Sequence, residues 1–168
     1  SYVVFHHNNC KVLDVDREAM LQTADENLRE LTALSEAEGI PVAVENVGIK
    51  SMGNVLMNQE QFIVECRKLP NPVLIDIGHA HANGWDLRHV MEVLQDKIIS
   101  YHVHNNDGVH DCHQRIYNGT LDFNAFLYDV RELTPKADLV LEYAPDVAAD
   151  QAGILKDVKT LCQFRETV

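Results

Sequence analysis

The sequence predicts an α/β fold built on a parallel sheet, and three observations carry that expectation. Short, continuously apolar runs recur along the chain, as strands buried on both faces do. Between them lie longer segments whose apolar residues fall at three- and four-residue steps, the spacing of amphipathic helices. Runs and helices alternate strictly, in the order βαβαβαβαβα, and that alternation implies a sheet covered by its crossover helices.

The elements follow in order. Tyr2-Val-Val-Phe5 is a β-rich run, followed by His6-His7-Asn8-Asn9. From Asp16 a helix is predicted, with Met20, Leu21, Ala24, Leu28, Leu31 and Leu34 on its apolar face. Gly39 and Pro41 end it. Val42-Ala-Val44 is the second strand and runs into Glu45-Asn46. Asn58 and Gln61 resemble a capping pair for a helix over 59–69. Pro70 and Pro72 bracket a turn before the strand Val73-Leu-Ile75, which runs into Asp76 and the segment Gly78-His79-Ala80-His81, read as a loop. A helix carrying Leu87, Val90, Met91 and Leu94 follows. The fourth strand, Ile98 to Val103, enters a polar loop to Gly119. Asp122 caps a helix with Phe123, Phe126, Leu127 and Val130. Leu139-Val-Leu141 is the fifth strand, ending in Glu142. The last helix carries Ile154, Leu155, Val158, Leu161 and Cys162.

The 168 residues suffice for one domain with a real core, expected to span 1–168. No apolar run approaches the roughly 20 residues of a membrane span. The chain opens at Ser1, directly in a strand-like run, so a preceding segment is expected. The net charge of −12 argues against a protein that grips nucleic acid mainly through phosphates. The four cysteines show no C-x-x-C spacing, which fits neither a zinc finger nor a disulfide framework and points to a reduced, cytoplasmic setting.

Function is expected at the C-terminal ends of the strands, where parallel α/β folds gather their active residues. Each predicted strand ends at a candidate ligand: His6, Glu45, Asp76, His104 and Glu142. His102 and His104, two apart on one strand, point to the same face, and the following loop adds Asp107, His110, Asp111 and His113. Imidazoles and carboxylates this dense suit a divalent metal; the alternative is a solvated polar loop. Glu45 and Glu142 terminate apolar strands and need a partner for their charge, either a cation or a Lys or Arg. Asp76 and His79 stand three apart at a strand end; the alternative is a helix-capping aspartate with an exposed histidine. His6 and His7 can also be read as exposed, and His89 as a surface or packing residue.

The ordered motifs V-E-N ending at Asn46, D-I-G-H at 76–79, H-V-H-N-N-D-G at 102–108, D-C-H at 111–113 with Gly119 and Asp122-Phe123 beyond, and L-E-Y-A-P at 141–145 resemble the xylose isomerase-like barrel superfamily. The resembling branch holds sugar phosphate isomerases/epimerases and endonuclease IV (AP endonuclease family 2). The resemblance covers essentially the whole chain. It implies a (β/α) TIM-barrel type of fold with parallel strands, represented by the C-terminal five βα units of an eight-unit barrel. The first three units are then expected to be missing, as in a fragment or in half of an assembly completed by a homo-oligomer or an N-terminal segment. Tyr117 stands where related proteins often have Gly.

The resemblance implies one divalent ion (Mn, Zn, Co or Mg) on Glu45, Asp76, His104 and Glu142. Glu45 and Glu142 would act as proton-transfer residues, and His79 would contact substrate. In the endonuclease IV pattern two or three zinc ions would also use His6, His79, Asp111 and His113. His102 and Arg115 are further substrate-contact candidates, the alternative for Arg115 being an exposed surface residue. The leading expectation is a metal-dependent isomerase/epimerase acting on a small-molecule sugar or sugar phosphate through a metal-stabilised enediolate. The alternatives are a multi-zinc phosphodiesterase acting on abasic DNA and an inactive metal-binding barrel fragment.

Overall fold

The computed structural model describes residues 1–166 of the chain; the last two residues of the expected 1–168 domain lie outside it. Five parallel strands form one sheet in sequence order: β1 (Val3–His6), β2 (Val42–Glu45), β3 (Val73–Asp76), β4 (Ile98–Val103) and β5 (Asp138–Leu141). Each strand pairs with the next one in the chain. That is the order of a barrel wall, not of a doubly wound sheet. The crossovers carry α1 (Arg17–Ala37), α2 (Gln59–Lys68), α3 (Ile77–Ala82) with α4 (Leu87–Leu94), and α5 (Phe123–Leu133); α6 (Gln151–Arg165) follows β5.

The two-residue period of the strands decides which side chains meet which layer. Val42, Val44, Val73, Ile75, Tyr101 and Val103 join one buried cluster with Leu28, Phe62, Met91 and Phe126 from the helices. The alternate residues face the other way. Register places His6 beside Glu45, Leu74 beside Ser100, and Asp76 beside His102, so these side chains share the face away from the helices. A register shift at Val73/Leu74 skips Ile99 and keeps this alternation in phase across β3 and β4. The Tyr2 hydroxyl donates to Ser100 Oγ at 2.8 Å, from the β1 end of the sheet to β4, so the inner face is concave.

Local chemistry accounts for the element ends. Asn58 and Gln61 form the full reciprocal capping box at the start of α2. Asp122 accepts from the amides of Asn124 and Ala125 at the start of α5. Two features depart from the sequence expectation. The segment read as a loop at 77–82 is the helix α3, which places His79 and His81 on a helix. Its N-cap is Asp76 itself, a side chain whose role the apolar pattern does not report. Leu34, Leu155 and Val158, expected to be inward, are exposed. Leu155 and Val158 lie on α6, and Val158 borders an apolar groove between α6 and β5. Within the described residues β1 and β5 each have one strand neighbour.

Ile75 is fully buried at the centre of β3. Ile75→Ala is expected to lower the unfolding free energy by about 2–5 kcal/mol through lost burial and a residual cavity. Leu155→Ala, at an exposed position, should change it by less than about 0.5 kcal/mol. Urea titration of the two variants checks this; similar losses in both would contradict the assignment of the core.

Candidate metal centre

The strand ends converge on the inner face. Glu45 closes β2 and is 1% exposed; Asp76 closes β3 and is fully buried. Neither has a Lys or Arg partner among the described ion pairs, and their neighbours are imidazoles. Glu45 Oε2 lies 2.9 Å from His6 Nε2, and its Oε1 lies 3.3 Å from His102 Nδ1 and 3.8 Å from His79 Nδ1. Asp76 lies 3.0 and 3.1 Å from His104 Nε2 through its two oxygens and accepts from the His79 amide at 2.7 Å. The capping alternative for Asp76 therefore holds together with the cluster contact. Glu142, just past β5, stands 3.1 Å from His102 Nδ1, which bridges the two glutamates.

The loop after β4 folds back over this end. The Asp111 Oδ2 atom is 3.3 Å from His79 Nε2, and its Oδ1 atom is 3.1 Å from His113 Nε2. His113 stacks on His104 with ring centroids 3.8 Å apart. It holds φ at 43°, a left-handed conformation that few residues other than glycine adopt. His79 and His113 each donate Nδ1–H to a main-chain carbonyl, of Asn46 at 3.0 Å and of Glu142 at 2.9 Å. Both rings therefore present Nε2 to the cluster, the arrangement by which a backbone carbonyl orients a metal-binding histidine. Gly78 makes room: a Cβ there would overlap the His104 ring.

Among the described residues Asp76 belongs to two of three donor sets. Donor atoms lie within 4.8 Å of one another in three groups: Asp76 with His104 and Glu142; Glu45 with Asp76 and His102; and His79 with His104, Asp111 and His113. No one of these groups holds all four of Glu45, Asp76, His104 and Glu142. A cavity of about 270 Å³ opens onto His6, Glu45, His79, Asp111, His113 and Glu142. The larger groove beside β5 is apolar and holds none of these groups. Arg115 is not in the cluster; its guanidinium engages Asp157 and Asp150. His81 lies apart and meets Thr120, while the exposed His110 pairs with Asp107.

Three buried amides that the sequence reading left without a role organise the site. The Asn46 carboxamide pairs with both main-chain groups of Asp76, accepting from its N–H at 2.7 Å and donating to its carbonyl at 2.9 Å. Asn105 donates to the carbonyls of Ile116 and Leu121 and accepts from the Leu121 amide. Asn106 donates to the Gly78 carbonyl. Their presence inside V-E-N and H-N-N was the available signal, since carboxamides next to strand-end ligands are placed to hold them.

Charge state follows from these contacts. Burial opposes ionisation of Glu45 and Asp76, but the imidazoles around them outweigh it and hold both below the usual carboxylate range. The His102 contact, against partial burial, lowers Glu142 as well. Burial likewise opposes the charged forms of His79 and His102, yet the carboxylates win and raise them to about 9 and about 10. The Asp111 contact raises His113 to about 9. Among the described residues, four buried polar atoms make no hydrogen bond: His104 Nδ1 and His7 Nδ1 have none at all, while His102 Nδ1 and Asp111 Oδ1 meet only the ionic neighbours given above. Three of the four belong to the cluster. Such orphans call for an ion or water, and imidazole with carboxylate is a donor set that several divalent ions accept.

A family model described as xylose isomerase-like TIM barrel matches residues 1–163. An uncharacterized protein of Methanocaldococcus jannaschii, MJ1614, is 28% identical over 131 residues, which are 78% of this chain and 50% of that protein. A D-tagatose 3-epimerase-like protein superposes with a TM-score of 0.78 at 22% identity, over 100% of this chain and 63% of the other. The IOLI protein, solved with a zinc atom, gives 0.76 at 22% identity, over 99% and 63%. At this identity the likeness to solved structures is one of fold. The chain spans half the length of the curated relative and under two thirds of these structures, as a partial barrel does.

Histidines held near 9 to 10 by neighbouring carboxylates carry protons at neutral pH, and a divalent cation drawn to those carboxylates displaces the protons. Binding of Zn²⁺ at pH 7 is therefore expected to release protons and to tighten as pH rises toward 9. The raised values also stabilise the metal-free chain: the contribution is full below the ordinary histidine pKa of 6.5 and is lost as pH rises through 9 to 10. Calorimetry in buffers of differing ionisation enthalpy, together with melting from pH 6 to 10, checks both signs. Zinc binding without proton release would contradict this electrostatic picture.

Proposed function

Because the chain belongs to the xylose isomerase-like TIM barrel family, we propose that it serves a divalent-metal-dependent sugar or sugar-phosphate isomerase or epimerase. The observation that carries this reading is that Asp76 links two donor groups at one end of the sheet, one with Glu45 and His102 and one with His104 and Glu142, and that the only cationic side chains paired with these acids among the described residues are imidazoles. The orphaned nitrogens and the acid-rich donor set fit a divalent cation held by Glu45, Asp76, His104 and Glu142. Such a cation supplies polarisation of adjacent carbonyl and hydroxyl oxygens of an open-chain ketose, which acidifies the C–H between them.

The chain's own groups supply the rest. Glu45 and Glu142 both line the cavity, in different surroundings: the Glu45 side chain is 2% exposed and that of Glu142 is 45% exposed. Carboxylates in unlike environments suit a pair in which one removes a proton and the other returns it. Return to the opposite face of the same carbon is epimerisation; return to the neighbouring carbon is isomerisation. His79, fixed by Asn46 and Asp111, orients a substrate hydroxyl. The buried Asn46 and Asn106 keep the Asp76–Gly78 junction in place under the cluster.

The group His79, His104, Asp111 and His113 favours a second reading, multi-zinc phosphoester hydrolysis. The net charge of −12 and the absence of Lys or Arg from the described cavity lining stand against a nucleic-acid substrate. Incubation of the metal-loaded protein with a panel of ketoses in D₂O is expected to place deuterium on the carbon next to the carbonyl. Glu45→Gln and Glu142→Gln should each slow that exchange by about 10²–10⁴-fold. Cleavage of an abasic-site oligonucleotide without exchange into any sugar would sink the isomerase reading.

A further inference from the structure

α6 lies outside the site, yet its buried acid is wired to it. Asp157, in the middle of α6, is fully buried. Arg115 Nε donates to its Oδ2 at 2.7 Å, Arg115 Nη2 donates to its Oδ1 at 2.8 Å, and the Tyr143 hydroxyl donates to Oδ2 at 3.0 Å. The third Arg115 bond runs from Nη1 to Asp150 Oδ2 at 2.7 Å, and Asp150 is the N-cap of α6. The Tyr143 hydroxyl in turn accepts from the Ile116 amide at 3.3 Å. A two-pronged guanidinium–carboxylate pair fixes orientation as well as distance.

The sequence positions give this arrangement its meaning. Arg115 lies two residues beyond His113, and Tyr143 directly follows Glu142. The two segments also hold each other: His113 Nδ1 donates to the Glu142 carbonyl, and the Ala144 amide donates to the His113 carbonyl at 3.0 Å. Gly153 belongs to the same arrangement. A Cβ there would overlap the Arg115 guanidinium and the Asp150 carboxylate, and Gly153 has no left-handed φ. Gly153 is the third residue of α6, and the space its missing Cβ leaves is taken by the Arg115 guanidinium.

We propose that Asp157, Arg115 and Tyr143 are positioning residues that fix Glu142 against Asp111 and His113, setting the spacing of the cluster from the outer helix. The inference rests on the metal and proton-transfer reading of that cluster. It gives Arg115 work away from substrate, in contrast to a phosphate or hydroxyl contact.

The test compares the wild-type chain with Tyr143→Phe and Gly153→Ala, two small changes, and with Arg115→Met. Amide hydrogen exchange is followed in segments 109–118 and 141–146, with 73–76 as the internal control, and Co²⁺ binding is followed by its visible absorption. Exchange in the two site segments is expected to rise by about tenfold or more while 73–76 is unchanged. Cobalt affinity should fall by about 10–100-fold with an altered spectrum. Unchanged exchange in the site segments, or an equal rise everywhere, would overturn the proposal, because α6 would then contribute only general stability. If the wild-type chain takes up no cobalt, the metal reading fails, and the exchange comparison still decides the clamp.

Discussion

Buried carboxylate charge at the ends of β2 and β3 is the constraint on which the rest of the structure depends. An ionised acid inside a protein costs several kcal/mol unless it is paired, and Glu45 and Asp76 are both inside. Their compensation comes from His6, His79, His102 and His104, rings that arrive from β1, α3 and the end of β4. Those rings need the sheet to be concave, the strand register to be in phase, and position 78 to lack a Cβ. The loop after β4 then adds Asp111 and His113 above them. The site is in this sense an electrostatic closure of the C-terminal ends of the strands, and the same closure would give the proposed divalent cation its donors.

Much of this was legible in the sequence. Apolar runs with helical spacing between them gave the parallel order, and the two-residue strand period put His102 and His104 on one face. Strand ends at Glu45 and Asp76 marked the site because an acid terminating an apolar run has few harmless interpretations. The less legible parts share one cause: they depend on contacts between residues far apart in the chain. α3 was read as a loop because its cap is the same Asp76 that faces the cluster and its residues follow no apolar period. Asp157 is buried on α6 because Arg115, 42 residues earlier, and Tyr143 both donate to it, contacts that no local spacing reports. Leu155 and Val158 fit the spacing of a buried face yet are exposed, since spacing alone does not say what a face packs against.

Two layers of support differ in kind. Asn46, Asn105 and Asn106 hold the backbone of the ligand-bearing segments with neutral hydrogen bonds, so their work does not vary with pH across the neutral range. The His79, His102 and His113 contacts are ionic and do vary. A metal-free chain therefore stores protons where a metal-loaded one would store a cation, and ligand binding of that type adds to folding stability by mass action. Rigid amide scaffolding with an exchangeable charge at its centre suits the proposed site, in which Glu45 and Glu142 would move a proton.

A cluster that holds a divalent cation should carry it through purification. Elemental analysis per chain, on protein purified without chelators and of verified intact mass, tests this most directly. Close to one manganese, zinc, cobalt or magnesium per chain is expected; two or three zinc ions would shift the function toward phosphoester hydrolysis. No bound metal, even after reconstitution, would contradict cation binding and leave the imidazole–carboxylate cluster as a self-compensated structural network.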